Sequence, residues 1–149
     1  MKMRIRNFGI GDLNYVYILG QKEFNGELWF TKKFLKETAK TPGYCLVAVE
    51  NRKIIGAIFV RKFDMPKLWI FFFVVDKNYR RQGIGSRLLK AVERKCSNDY
   101  PLMFVDIENR NIEAKKFYLK NGFTEQACIK DWFGIDKEGI ILSKICFRD

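Results

Sequence analysis

The chain has 149 residues and a formal net charge of +11 at pH 7, and its 48% hydrophobic content indicates a folded rather than a disordered protein. This length suits one domain, which we predict to span residues 1–149. The sequence contains no histidine. This excludes histidine-based triads and leaves carboxylates, tyrosine, cysteine, lysine or water to transfer protons.

Cysteine spacing and hydropathy set two further expectations. The four cysteines form no C-x-x-C pair, so without histidine we expect no metal site and reduced cysteines. No apolar run is long enough to cross a membrane, and no signal-like segment follows the first residues. We therefore expect a cytoplasmic protein with no membrane contact.

The first predicted elements are a strand over residues 3–7 and two helices. Asp12 is positioned to cap the first helix, which should run to about Phe24. The second helix should cover about residues 28–39, with Trp29 and Phe30 among its apolar residues.

Three strands then follow as a meander. β-rich runs at residues 44–50 and 54–63 flank a short polar turn, which predicts an antiparallel hairpin. Residues 68–75 are apolar without alternation, which predicts a central strand that is buried on both faces.

The second half of the chain alternates helices and strands. A helix should start near Gly85 and a strand should cover residues 102–108, which predicts a parallel crossover. Asn111 is positioned to cap a helix that ends at about Lys120, and two more strands surround a turn at residues 134–138. This order predicts an α/β fold: a mixed, mostly antiparallel sheet with a central parallel strand pair and flanking helices.

The positive charge is concentrated in the middle of the chain. Residues 51–99 carry 12 basic and 4 acidic side chains, a balance of +8. A bound polyanion would account for this excess, and so would a nucleic acid or a basic face that meets only solvent.

The sequence R-R-Q-G-I-G, residues 80–85, follows the central strand and opens a helix. A helix N-terminus carries unpaired N–H groups and a positive dipole, which together attract anions. Gly83 and Gly85 remove side chains that would keep a phosphate from these groups, and Arg80 and Arg81 add positive charge. The loop predicts a phosphate or pyrophosphate site, although it matches neither G-x-x-x-x-G-K-[ST] nor G-x-G-x-x-G.

Two ordered motifs carry a family resemblance. R-x-x-G-x-G lies at residues 80–85, and N-x-x-A-x-x-F-Y-x-x-x-G-F lies at residues 111–123, after the next strand. In both motifs the sequence resembles the GCN5-related N-acetyltransferases (GNAT). The resemblance implies direct transfer of an acetyl group from acetyl-coenzyme A (acetyl-CoA), as co-substrate, to a primary amine without a metal. Trp29 and Phe34, five residues apart, are similar to a pair in the subgroup that acetylates the N-terminal amine of ribosomal and other proteins.

The resemblance also implies roles in coenzyme binding. Strand residues before the loop would offer backbone groups to the pantetheine arm; they are Phe73, Val74 and Val75. The loop would surround the pyrophosphate with its N–H groups and charge; its residues are Arg80, Arg81, Gln82, Gly83, Ile84, Gly85 and Ser86. Asn111 matches the coenzyme-contacting asparagine of the family, and it can also act as a plain helix cap.

Three residues are candidates for proton transfer. Tyr118 matches the family's general acid, which protonates the leaving thiolate; the alternative is a core aromatic on an amphipathic helix. Asp106 stands where the N-terminal-acetylating subgroup has a glutamate as general base, and its shorter side chain implies a contact through water. Glu108, on the same strand face, is the second candidate and water the third. The alternative for both carboxylates is a solvated or ion-paired side chain.

Aromatic residues near the acceptor side complete the predicted site; they are Trp29, Phe30, Trp132 and Phe133. We expect a peptide or protein α-amine as acceptor, because its pKa of about 8 makes it easier to deprotonate than a lysine. A small amine, such as a polyamine, an amino acid or an aminoglycoside-like compound, is the first alternative. A non-catalytic basic module that binds nucleic acid or another anion is the second. If the protein is an enzyme, the phosphates of its coenzyme account for the basic loop, so we expect no nucleic acid partner. We expect a monomer or a homodimer.

Overall fold

The computed structural model describes residues 2–146. Its elements, in chain order, are β1 (Met3–Asn7), α1 (Leu13–Phe24), α2 (Lys32–Lys40), β2 (Gly43–Glu50), β3 (Lys53–Phe63), β4 (Lys67–Val75), α3 (Ile84–Glu93), β5 (Leu102–Glu108), α4 (Ile112–Lys120), β6 (Thr124–Ile129) and β7 (Gly139–Ile145). Short 3-10 turns precede α1 and follow β4. The single domain predicted for residues 1–149 stays a prediction, and residues 1 and 147–149 lie outside the described range.

The strands form one sheet in the order β1-β2-β3-β4-β5-β7-β6. β4 and β5 run parallel, and every other pair of neighbours among the described strands is antiparallel. This confirms the predicted mixed, mostly antiparallel sheet with a central parallel pair. No helix within residues 2–146 combines the length and the apolar composition that crossing a membrane requires.

Two apolar cores lie on the two faces of the sheet. In β2, Leu46 and Ala48 face the core under α3 and α4, whereas Val47 and Val49 face the core under α1 and α2. The buried stripe of α3 has helical spacing, as predicted; it consists of Ile84, Leu88, Leu89 and Val92.

The parallel pair β4–β5 is short, and this opens the sheet at its centre. The two strands pair only where residues 67–70 face residues 102–105. Beyond this point β4 follows β3 as far as Val75, and β5 follows β7 as far as Glu108. One backbone edge of residues 71–75 therefore has no strand partner and borders a gap in the sheet.

A β-bulge in β4 places apolar side chains on both faces. Phe59 pairs with Phe72 and Val60 pairs with Ile70, so Phe71 has no partner in β3. As a result Ile70 packs under α3 and α4, whereas Phe72 packs under α1 and α2. The predicted central position of the strand is confirmed, but only alternate residues of β4 are fully buried.

The second helix starts later than predicted. α2 begins at Lys32, where the side chain of Thr31 accepts a hydrogen bond from the backbone N–H of Phe34. Leu28 is almost fully exposed, and residues 28–31 are not helical. The aromatic residues before Thr31 suggest an apolar helix face. The helix nevertheless begins only where the threonine side chain accepts a hydrogen bond from a free backbone N–H group.

Two of the four cysteines are not reduced, contrary to expectation. Cys96 after α3 and Cys146 after β7 form a disulfide. Cys45 and Cys128 carry free thiols, and burial raises the pKa of Cys45 to about 12. The disulfide joins residues 50 positions apart, so no local spacing marks it in the sequence.

Candidate active site

Two cavities meet at the gap between β4 and β5. The first has a volume of about 470 Å³ and is lined by the end of β4, the loop before α3 and the start of α4. The second has a volume of about 770 Å³ and is lined mainly by aromatic side chains. The cavities share five residues: Phe24, Phe73, Asn111, Ala114 and Tyr118. A molecule in one cavity can therefore reach a molecule in the other at this shared wall.

The loop before α3 presents consecutive backbone donors to the first cavity. The N–H groups of residues 81–86 donate to no acceptor within residues 2–146. Arg81 and Gly83 have φ values of 64° and 78°, and such left-handed turns aim successive N–H groups at one anion. The space next to Gly83 is open to 4 Å. The donors and the open space fit the pyrophosphate of coenzyme A.

Side chains of the loop contribute less than its backbone. A side chain at position 85 would place its first carbon 3.1 Å from the ring of Phe117, so Gly85 also lets α3 and α4 approach closely. Ile84 is buried in the core. Gln82 is exposed and lines neither cavity. For Ile84 the predicted coenzyme contact is therefore restricted to the backbone, and Gln82, contrary to prediction, does not border the cavity.

Arg80 forms ion pairs inside the first cavity. Its guanidinium lies 2.6 Å from the carboxylate of Glu23 on α1 and 3.8 Å from that of Glu113 on α4. Its Nε donates to the carbonyl oxygen of Val75 at 3.1 Å. Arg81 lines the same cavity and has no ion pair in the described part of the chain. Arg81 is thus the more available cation for a phosphate.

The remaining predicted coenzyme residues also line the first cavity; they are Phe73, Val74, Val75, Ser86 and Asn111. Val74 is buried, so its backbone and not its side chain is available at the gap. The side-chain oxygen of Asn111 accepts from the N–H of Ala114 at 3.1 Å. Asn111 therefore caps α4, as predicted, and at the same time borders both cavities.

Tyr118 lies in the shared wall with only 5% of its surface exposed. Its ring packs edge-to-face on Phe117 and Phe123, with centroids 5.2 Å apart in each case. Its hydroxyl bonds to no group within residues 2–146. Burial, and then the charge of Asp106, raise the pKa of Tyr118 above its ordinary value of 10.0. The phenol therefore keeps its proton at neutral pH and borders both cavities.

Asp106 lies on β5 in the second cavity, between two indoles. Its Oδ1 accepts from Nε1 of Trp69, and its Oδ2 accepts from Nε1 of Trp132, both at 2.8 Å. Glu108 lines the same cavity but lies 3.0 Å from the guanidinium of Arg110. Asp106 has no ion pair within residues 2–146, so of the two candidates for the base it is the one that no cation neutralises. No group of three or more Cys, Asp or Glu side chains in that range could hold a metal ion.

Three of the four aromatic residues predicted to contact the acceptor line the second cavity: Trp29, Trp132 and Phe133. The fourth, Phe30, is only 6% exposed and stacks on Phe72 at 5.5 Å in the core under α1. A side chain at Gly20 would overlap the Phe30 ring, which shows how closely α1 covers it. The structure therefore corrects the prediction for Phe30, which is a core residue.

Two residues of the site were missed from the sequence. The sequence shows Trp69 only as part of an apolar strand, although the N–H of an enclosed indole needs an acceptor and is itself a signal. Glu23 neutralises Arg80 from a position 57 residues away. Such a long-range pair leaves no local pattern in the sequence.

The acetyltransferase (GNAT) family profile matches residues 14–123. N-alpha-acetyltransferase 30 of Dictyostelium discoideum is 29% identical over 133 residues, which cover 77% of this chain and 70% of that protein. The protein of the same name from Xenopus laevis is 35% identical over 88 residues, but the match covers only 32% of its length. The chain thus spans a minor part of that longer relative.

Solved structures with the same fold cover nearly the whole chain. Ard1 from Thermoplasma volcanium matches with a TM-score of 0.87 and 22% identity, over 99% of this chain and 100% of that one. Naa50 of Arabidopsis thaliana, in complex with the bisubstrate analogue CoA-Ac-MVNAL, matches with a TM-score of 0.83 and 24% identity, over 97% and 99% of the two chains. At these identities the likeness concerns the fold.

Proposed function

Because the chain belongs to the acetyltransferase (GNAT) family and uses acetyl-CoA as its co-substrate, we propose that its acceptor is the N-terminal α-amine of a peptide or protein. The observation that carries the proposal is the second cavity, which is lined by aromatic side chains and meets the coenzyme cavity at Tyr118. Its aromatic walls, which include Trp29 and Phe133, suit the apolar side chains of a peptide. Its volume of about 770 Å³ leaves room for more than an amine.

The charges in this cavity favour a single ammonium group over a polycation. The cavity is lined by three carboxylates, of Glu27, Asp106 and Glu108, and by the two lysines Lys67 and Lys137. A polyamine carries several positive charges and would need a clear excess of carboxylates. An N-terminal amine brings one positive charge, which Asp106 alone can balance.

Both backbone and side-chain groups of the chain would bind the coenzyme, each at a different part of the molecule. We assign the pyrophosphate to the free N–H groups of residues 81 and 83–86 and to the side chain of Arg81. The pantetheine arm would lie along the unpaired edge of β4 at Phe73 and Val74, like an added strand. The thioester would then reach the shared wall next to Tyr118.

Asp106 and Tyr118 account for the protons of the transfer. Asp106, through a water, takes one proton from the acceptor ammonium, and the neutral nitrogen then attacks the thioester carbon. As the carbon–sulfur bond breaks, Tyr118 gives its proton to the sulfur. Tyr118 regains a proton when the new amide nitrogen loses its second one, so one proton is released overall.

The charge of Asp106 affects the acidity of Tyr118, and this effect suits the order of the two proton transfers. The charge of Asp106 is the second cause, after burial, of the raised pKa of Tyr118. When Asp106 takes up the ammonium proton, this second contribution disappears and the pKa of Tyr118 decreases, while burial still holds it above its ordinary value. Tyr118 thus becomes a stronger acid at the stage at which the thiolate leaves.

Two relatives and one solved structure support this acceptor class. The Dictyostelium relative is named an N-alpha-acetyltransferase, as is a relative from Danio rerio that is 28% identical over 131 residues. The Arabidopsis structure was solved with an analogue that joins coenzyme A to the residues MVNAL.

A comparison of three acceptors tests the proposed acceptor class. Three acceptors are compared by kcat/KM in a thiol-release assay: a short peptide with a free N-terminus, the same peptide with a blocked N-terminus and an added lysine, and spermidine. We expect the free N-terminus to react fastest. Faster turnover of spermidine, or equal turnover of the blocked peptide, would overturn the acceptor class.

A further inference from the structure

Asp106 is unusual among the carboxylates of this site because both of its oxygens are held by neutral donors. Trp69 donates to Oδ1 and Trp132 donates to Oδ2, each at 2.8 Å. The other anchored carboxylates face cations: Glu108 faces Arg110, and Glu23 faces Arg80. Neutral N–H donors fix the orientation of a carboxylate without cancelling its charge.

The two indoles approach Asp106 from different parts of the fold. Trp69 lies on the central strand β4 and stacks on Phe104 at 5.4 Å. Trp132 lies in the turn between β6 and β7 and is 43% exposed. The carboxylate is therefore held between a rigid strand and a surface turn.

Gly139, the first residue of β7, makes room for Trp132. A side chain at this position would place its first carbon 2.5 Å from Cδ1 of the indole. The backbone of Gly139 is extended, so the position does not need glycine for its conformation. The glycine instead leaves the space that the Trp132 side chain occupies next to β7, where its indole reaches Asp106.

We propose that Trp69 and Trp132 are positioning residues that hold Asp106 as the carboxylate that receives the acceptor amine. We call Trp69, Asp106 and Trp132 the indole clamp. The inference rests on the proposed role of Asp106 in the transfer. Asp106 lines the second cavity, and with both oxygens fixed its remaining lone pairs are available, through the bridging water, to the incoming ammonium.

The clamp can be observed without measuring activity. The chain contains three tryptophans, so a ¹H–¹⁵N spectrum of the indole groups has three signals. Asp106→Ala should shift the signals of Trp69 and Trp132 and leave that of Trp29, which lines the same cavity, in place. Gly139→Ala keeps every indole and should move only the signal of Trp132. If Asp106→Ala leaves the signals of Trp69 and Trp132 unchanged, the clamp does not exist.

Kinetics test whether the clamp serves catalysis. Trp132→Phe removes one N–H but keeps a ring, and it should lower kcat/KM for the acceptor about tenfold, the usual effect of losing one hydrogen bond to a charged group. The KM for acetyl-CoA should not change. In an Asp106→Asn background the same substitution should change the rate less than twofold, because the group that it positions is already lost.

The outcomes separate the clamp from the proposed function. Equal losses from Trp132→Phe with and without Asp106 would refute positioning, even if the indole signals report the contacts. A full rate for Asp106→Asn would remove the role of the carboxylate and with it the proposal. A preference for spermidine in the acceptor assay would change the acceptor class and leave the clamp standing.

Discussion

Replacing Tyr118 by phenylalanine should separate catalysis from packing. The ring contacts with Phe117 and Phe123, at 5.2 Å each, are available to a phenylalanine as well. The lost hydroxyl has no protein partner within residues 2–146 and belongs to a residue that borders both cavities, so its removal breaks no hydrogen bond within the protein. We therefore expect Tyr118→Phe to leave the free energy of unfolding unchanged or to raise it slightly.

The effect on the reaction should be large. Loss of a general acid lowers kcat by about 10²-fold, which corresponds to about 2.7 kcal/mol of activation free energy. Burial and the charge of Asp106 raise the pKa of Tyr118 above 10.0, so the phenol stays protonated in the wild type up to at least that pH. The wild-type rate should therefore show no loss from this group between pH 7 and 10, and Tyr118→Phe should be slower at every pH in this range.

Three measurements on one preparation decide the question. Thiol release gives kcat, a titration gives the affinity for acetyl-CoA, and urea unfolding gives stability. Tyr44→Phe, on β2 and away from both cavities, is the matched control and should alter none of them. A kcat within twofold of the wild type would show that Tyr118 is a core residue and not the acid. A stability loss above about 1 kcal/mol would contradict the unpaired hydroxyl.

Two further changes test the coenzyme loop and the disulfide. Arg81→Glu should weaken acetyl-CoA binding about tenfold, through repulsion of the phosphates, and the difference should shrink as salt rises; titrations at two ionic strengths measure this. Arg87→Glu, exposed on α3 and outside the cavity, should have a much smaller effect, and equal effects would contradict the assignment. Reduction of the Cys96–Cys146 disulfide, which spans 50 residues, should lower the free energy of unfolding by about 4 kcal/mol. Urea unfolding with and without reductant tests this, and a Cys96→Ser/Cys146→Ser variant that still responds to reductant would refute it.

Local rules were sufficient for the second half of the fold, but not for every helix cap: Asp12 makes no side-chain capping bond to α1, contrary to prediction, because its carboxylate pairs with Arg6 at 2.7 Å. The side chain of Asn111 caps α4 by accepting a hydrogen bond from the N–H group three residues later. Such a cap can be predicted from the sequence alone. The same rule, applied to Thr31 rather than to the aromatic residues before it, would have placed the start of α2 correctly. Phe30 was misplaced for the same reason: in the irregular link before the cap its ring turns into the core.

Contacts between distant segments could not be predicted in this way. Asp106 was a candidate from its place in the strand, but its donors lie 37 and 26 residues away. The neutralisation of Arg80 by Glu23 and the pairing of Cys96 with Cys146 span similar or longer distances. These features depend on strand order, and a seven-stranded sheet permits many orders with the same local patterns.

The place of β7 in the sheet has a consequence for the synthesis of the protein. β7 is the last of the described strands along the chain, yet it lies between β5 and β6. Until it has left the ribosome, one edge of β5 has no partner, and Gly139 is not available to receive the ring of Trp132. Domains generally fold as units during synthesis, and Ile140 and Leu142 of β7 belong to the core that also supports α3 and Tyr118. The coenzyme cavity and the acceptor cavity should therefore become complete together, only after β7 has been inserted between its two neighbours.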